Sequence, residues 1–219
     1  MRITPVTRWL LLALAAGFGL QLLLGIRFEF ALALWPLGPH ETGRVGSELV
    51  TVGFQPWQVV TYSFLHSTSN LAHLLFNGLA LYSFGPHIER LFGAKRYVTY
   101  WFTSVVGAAA AQLATLALLT PGQMFPTVGA SGGVFGLLLA FGMFYPRARM
   151  MLLFLPIPMP AWVAVIAYGI VELVLGVTGT QTGVAHFAHL GGLVAGFLLI
   201  QFWKLRARRG PPSNGSSSA

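Results

Sequence analysis

The chain contains no cysteine and no aspartate, and charge of either sign is scarce: 8% of its 219 residues are Asp, Glu, Lys or Arg, against 55% that are hydrophobic. The missing cysteines exclude disulfides, thiol nucleophiles and cysteine-bound metals or clusters. The missing aspartates exclude a Ser-His-Asp triad. The only acids are Glu29, Glu41, Glu48, Glu89 and Glu172, and the only lysines are Lys95 and Lys204. A soluble domain carries about 25% charged residues. A deficit this large, with a mean hydropathy of +0.71, makes lipid the solvent for most of the surface. The apolar runs are continuous rather than alternating, so a transmembrane β-barrel does not fit. The fold class is all-α, a polytopic helical membrane protein in one domain. The net charge of +8 does not point to nucleic acid, because the basic residues sit at the ends of apolar segments, as in loops sorted by the positive-inside rule.

Six apolar segments predict six spans within residues 1–203, at about 9–26, 69–84, 98–119, 131–145, 161–175 and 184–203. Asn70 is placed to cap the second. A mixed, aromatic connection over 27–58 suits the headgroup region, and a charged loop is expected over 85–97. Pro156, Pro158 and Pro160 break the apolar stretch at 150–160 into an interfacial connection. Residues 204–219 read as a basic, Gly/Pro/Ser-rich, disordered tail. With six spans both termini share a side, and that side collects Arg2, Arg8, Arg90, Lys95, Arg96, Arg147, Arg149 and the basic tail, while the other holds Arg27 and Arg44. Both termini are therefore expected in the cytoplasm. The compact chain suggests a bacterial inner membrane as host.

Segments 2, 4 and 6 then run in one direction, with inner ends marked by Arg90, Pro146 and Lys204. At ~1.5 Å per residue, Ser131 and His189 lie roughly 22 Å above those ends and Asn77 roughly 20 Å. Three polar residues on three segments fall at one depth, inside a hydrocarbon core about 30 Å thick. Segment 4 is too short to span, so the loop over 120–130 covers its outer part. Irregular backbone at that depth requires protein or water around it, which implies a hydrophilic pocket floored by Ser131.

A serine hydroxyl needs an adjacent base to attack a carbonyl. Both lysines are at the cytoplasmic edge, so His189, level with Ser131, is the economical partner in a Ser-His dyad. Gly132 and Gly136 on segment 4, and Gly192 and Gly196 on segment 6, form small-residue faces that allow the close helix approach a hydrogen bond needs. Oxyanion donors are at hand in the free backbone N–H of Ser131 at a helix start and in the side chains of His73 and Asn77. Blander readings stand beside these. A serine at a helix start is ordinarily a cap, single histidines bridge helices, and Glu172, the one intramembrane acid, can hydrogen-bond within the bundle. A ring of His66, His73, His186 and His189 could hold a metal, but no acid or thiol ligand accompanies it and no tight spacing supports it, and no metal or cofactor is expected.

HLLFN (His73–Asn77), GASGGVFG (Gly129–Gly136) and AHLGGLVAG (Ala188–Gly196) occur on segments 2, 4 and 6, and over about 57–202 the sequence resembles the rhomboid family of intramembrane serine proteases. The resemblance implies a six-helix core, Ser131 as nucleophile, His189 as base, His73 and Asn77 as oxyanion donors, no cofactor, and membrane-spanning protein substrates in the bilayer, cut near their outer ends beside small residues and a helix-destabilising stretch. It makes segment 5 and residues 177–183 a lateral gate and cap. Two positions depart from the family pattern: its frequent first-loop Trp-Arg pair reads Trp57-Gln58, and its tyrosine four residues after the serine, stacked on the histidine, is Phe135. Two rivals belong to other classes. One is a catalytically silent, rhomboid-like binder or chaperone of membrane proteins; the other is a small transporter, for which Glu172 alone is thin support. The sequence leaves oligomeric state open.

Overall fold

The computed structural model describes residues 2–38, 41–152, 155–179 and 185–209. The tail expected to be disordered over 204–219 is in part helical, since the last helix runs to Arg208; its residues beyond 209, the first residue of segment 6 at 184 and loop residues 180–183 lie outside the described residues. The chain folds as α1 (Pro5–Leu24), α2 (Ile26–Leu32), β1 (Glu41–Val45), β2 (Glu48–Val52), α3 (Gln58–Thr61), α4 (Leu71–Phe92), α5 (Ala94–Leu118), α6 (Ser131–Phe144), β3 (Arg149–Leu152), β4 (Leu155–Pro160), α7 (Ala161–Thr178) and α8 (His186–Arg208). It is an all-α membrane bundle with two small hairpins outside the helices. α1, α5, α7 and α8 are each long and apolar enough to cross a membrane. Large side chains such as Leu23, Leu118, Ile170 and Leu198 point outward, the arrangement of an integral membrane protein whose surroundings are as apolar as its core.

Three connections depart from the sequence reading. The hairpin β1–β2 occupies part of the connection over 27–58, turning at Gly46 (φ +64°), and Thr42 and Thr51 hydrogen-bond across it at 2.9 Å. The proline-rich stretch at 150–160 is likewise part of a hairpin, β3 with β4; its prolines are tolerable because a two-stranded sheet is all edge.

The charged loop expected from Gly85 is instead the last two turns of α4, which passes through Pro86. Pro86 supplies no N–H to the preceding turn, and the Ser83 carbonyl in that turn takes the His87 ring at Nδ1, 3.0 Å away. What requires the extension is Glu89. It is buried, and its carboxylate accepts from the N–H groups of Val6 (2.9 Å) and Thr7 (2.8 Å), from the Thr7 hydroxyl (2.9 Å) and from the Thr4 hydroxyl. An anion thus satisfies the orphan donors at the positive end of α1 and joins α1 to α4.

α5 is the central helix, burying Tyr97, Tyr100, Trp101, Val105, Ala108 and Ala109 and packing most extensively on α8. The small-residue faces work differently from the simple expectation that Gly132 and Gly136 face α8. A Cβ on Gly132 would strike Ala108, and one on Gly136 would strike Ser104, both on α5. A Cβ on Gly192 would strike the Gly132 carbonyl oxygen, with the carbonyl carbon at 2.9 Å and the Cα at 3.1 Å, while one on Gly196 would strike the Tyr100 hydroxyl. α6 and α8 therefore touch backbone to backbone at Gly132–Gly192, and α5 forms the common wall behind both.

Candidate active site

Ser131 is fixed from its N-terminal side. Residues 119–130 have no helix, yet their backbone is paired: Leu34 and Thr127 exchange N–H···O bonds of 3.0 and 2.9 Å, and the Gly129 N–H donates to the Tyr62 carbonyl at 3.0 Å. Tyr62 is held in turn by its hydroxyl, which donates to the Val105 carbonyl at 2.8 Å. Irregular backbone packed within the bundle is thereby satisfied, as burial requires. α6 begins at Ser131, and its first intrahelical bond here is Val134 N–H to the Ala130 carbonyl, 3.1 Å. The N–H groups of Ser131 to Gly133 precede that bond, at the positive end of the helix.

The Gly132–Gly192 contact brings α8 against this helix start, and His189, one turn before Gly192, meets the serine. Ser131 Oγ and His189 Nε2 are 2.8 Å apart. Phe135, one turn into α6, stacks on the imidazole with ring centroids 4.3 Å apart and planes 7° from parallel. The other ring nitrogen, Nδ1, lies 2.9 Å from Glu172 Oε2 on α7, and the same oxygen is 2.6 Å from His186 Nδ1. Glu172 and His186 are both buried. The sequence pattern gives neither a part in the dyad: His186 enters only the possible metal ring, and Glu172 only hydrogen bonding within the bundle or a transport path; the signal that points to them is the isolation of Glu172, the one acid in the apolar segments beyond α4.

Of the candidate oxyanion donors, the His73 ring lies beside the serine, and Asn77 is tied to the His73 backbone. His73 Nδ1 accepts the Ser67 N–H at 3.4 Å, which leaves the ring proton of the neutral imidazole on Nε2. A Cβ on Gly129 would lie 2.8 Å from that Nε2 and 3.7 Å from Ser131 Oγ. Gly129, with φ +129°, therefore keeps open the space between the His73 ring and the serine hydroxyl. Asn77 spends one amide N–H on the His73 carbonyl, 2.9 Å away on the preceding turn, leaving the second to offer.

Gln58, at the position of the family's first-loop arginine, is 1% exposed. Its side-chain oxygen accepts the N–H groups of Trp35 (3.3 Å) and Gln55 (3.0 Å), and its nitrogen donates to the carbonyls of Ala31 (3.4 Å) and Gly53 (3.3 Å). Trp57 Nε1 also donates to Ala31, at 2.9 Å. A neutral amide thus knits the connection that an arginine would hold by charge. His66 sits behind His73, edge to face at 5.1 Å, in a loop tied to α1 by Gln21, whose amide exchanges bonds of 2.8 and 3.0 Å with the His66 backbone. Burial, reinforced by the neighbouring His73 ring, pushes His66 down to about 4.

The four-histidine ring does not assemble as one cluster of ligand atoms among the described residues. The group that does is Glu172, His186 and His189, with ligand atoms within 4.8 Å of one another. Ligands around a tetrahedral zinc at ~2.0 Å stand roughly 3.3 Å apart, and the contacts of 2.6 and 2.9 Å are shorter: a hydrogen bond to His186 and a close carboxylate–imidazole contact to His189.

The sequence matches the rhomboid-domain family model over residues 53–205. It is 32% identical over 126 residues to "Rhomboid protein 1, mitochondrial" of Saccharomyces cerevisiae, covering 58% of this chain and 36% of the yeast protein. Over 144 residues it is 29% identical to "Rhomboid protease GluP" of Bacillus subtilis, covering 64% and 25% of the two chains. Over 157 residues it is 29% identical to "Rhomboid protease AarA" of Providencia stuartii, covering 65% and 54%. The matched region spans about a quarter to a half of these relatives' lengths. On the family match, which takes in the serine, both candidate histidines and all the helices that hold them, the chain belongs to the rhomboid family.

Proposed function

We propose that the chain is an intramembrane serine endopeptidase that cleaves membrane-spanning proteins, with Ser131 as nucleophile and His189 as general base. The observation that carries this reading is the 2.8 Å contact between Ser131 Oγ and His189 Nε2, made between two helices within the bundle. Relatives named rhomboid proteases add to it.

In the proposed reaction, Oγ attacks the scissile carbonyl carbon as its proton passes to Nε2. The developing oxyanion lies beside the His73 Nε2–H and the N–H groups that open α6, with the second Asn77 proton in reserve. The imidazolium returns its proton to the leaving amine as the C–N bond breaks. Water then repeats the sequence on the acyl-enzyme, releasing the acid and restoring Ser131. Phe135 covers one face of the imidazole and limits its rotation. A substrate helix must unwind to present a carbonyl, so small residues beside a helix-destabilising stretch are the expected cleavage site.

The six apolar segments give six membrane crossings in this reading, and the charge asymmetry of their connections puts both termini on the cytoplasmic side. The test is cleavage of a model transmembrane substrate by purified protein in proteoliposomes. Ser131→Ala and His189→Ala are each expected to abolish cleavage while leaving the melting temperature near wild type. Full activity of Ser131→Ala would overturn the reading, and a wild type that binds substrate without cutting it would favour the silent binder.

A further inference from the structure

For His189 to accept the serine proton at Nε2, its neutral ring must carry its own proton on Nδ1. Something has to set that tautomer and stabilise the imidazolium that follows. The chain has no aspartate for the task. The group found at Nδ1 is Glu172 Oε2, 2.9 Å away on α7, in a residue only 8% exposed.

We propose that Glu172 is a positioning residue that completes a Ser131–His189–Glu172 relay across α6, α8 and α7. It holds the Nδ1–H tautomer of His189 and stabilises its protonated form, and the inference rests on the proposed protease reading. The carboxylate lies off the in-line N–H direction of His189 and makes its directed bond to His186 Nδ1 at 2.6 Å. Its hold on His189 is therefore mainly one of charge, strongest when the ring becomes imidazolium. His186 divides that charge. The titratable groups facing this cluster are His186 and His189 on α8, Glu172 on α7 and His73 on α4; from α6 come the Ser131 hydroxyl and the Phe135 ring, which also packs edge-on against Tyr168 of α7 at 6.0 Å. Glu172 is thus the one anion among them, and two histidines one turn apart compete for it. Because α7 carries the carboxylate, any outward movement of α7 separates it from His189. The base is then supported only when α7 is packed against α8.

The test uses the full chain in proteoliposomes, with the pH profile of kcat/KM for a fluorogenic transmembrane substrate. An opposite charge within 4–6 Å moves a titration by about 1–3 units. In Glu172→Gln the acidic limb is expected to move down by roughly that amount, with kcat reduced about tenfold or more and KM within about twofold of wild type. Glu172→Asp retains the charge and should recover part of both. His186→Phe leaves the whole charge to His189, and the limb should move up. If Glu172→Gln does not fold, the direction of the His186→Phe shift decides alone. An unmoved acidic limb in a folded Glu172→Gln, or a loss confined to KM and melting temperature, would overturn the proposal and leave Glu172 a helix clasp. A wild type without Ser131-dependent cleavage would instead remove the protease reading. The His189 ring titration, followed by NMR on Ser131→Ala with and without Glu172→Gln, then still decides whether the carboxylate governs the imidazole.

Discussion

Gly192→Ala is the most discriminating single-atom perturbation of the bundle. The new Cβ would fall on the Gly132 carbonyl, with its carbon at 2.9 Å and the Cα at 3.1 Å. Carbon contacts settle at ~3.5–4.0 Å, so α6 and α8 must part by roughly 1 Å. Neither side can yield locally, since a Cβ has no rotamer to move to, the Gly132 atoms it meets are backbone, and Gly132 is backed by Ala108 of α5. The Ser131–His189 contact, now 2.8 Å, would then stretch to about 3.8 Å, beyond hydrogen-bonding range. A displacement of that size can cost about 100-fold in rate, and overpacking of this kind costs about 1–3 kcal/mol, or a melting temperature lower by roughly 2–12 °C in a chain of this length. The assay is cleavage of a transmembrane substrate and thermal unfolding, both in the same lipid, with Gly19→Ala as the comparison. Gly19 also lies in a helix, but a Cβ there meets nothing within 4 Å, so that variant should match or exceed wild-type stability. Wild-type rate and melting temperature in Gly192→Ala would refute the claim that backbone contact between α6 and α8 sets the site.

Three further predictions follow from the same geometry. Phe135→Ala removes the stacked ring from His189; an aromatic pair is worth about 0.5–1.5 kcal/mol, so kcat should fall roughly 2- to 12-fold beyond any loss of stability, while Phe135→Tyr should retain activity. Gln58→Ala breaks a buried four-bond hub and removes the acceptor that the N–H groups of Trp35 and Gln55 share, which should lower stability by about 1–3 kcal/mol in thermal unfolding. His66 is held neutral by burial down to about pH 4 in the folded chain, whereas unfolded it protonates near ~6.5. The unfolded state therefore binds more protons between those values, and stability should be full above ~6.5 and fall by about 3 kcal/mol as the pH drops to 4. His66→Phe should flatten that part of the stability–pH curve.

The sequence made the helical bundle legible because apolar runs in a chain with so little charge leave few alternatives. The truncated α6 was readable from Pro146 and from the polar loop before Ser131. The depth count that levelled Ser131 with His189 works because both lie on helices with a fixed rise per residue. What escaped was whatever depends on one helix meeting another. Nothing in the local pattern at Gly85–Phe92 says that Glu89 will cap α1, and without that partner a buried carboxylate and an internal proline argue for a loop. The hairpin β1–β2 was hidden because its strands are short and β1 is exposed along its whole length, with no apolar alternation there to mark it. Glycine spacing announced close packing but not its direction, and only the fold shows α5 behind Gly132 and Gly136. Glu172 was visible as a lone intramembrane acid, but its meeting with His189 depends on how α7 leans on α8, which spacing along the chain does not encode.

The most direct measurement of the central claim is covalent labelling by a fluorophosphonate probe in native lipid, with the modified peptide mapped by mass spectrometry. The account predicts a single modified residue, Ser131, with labelling lost in His189→Ala and slowed in Glu172→Gln. Labelling that persists at the wild-type rate in His189→Ala, or that maps to another residue, would contradict it.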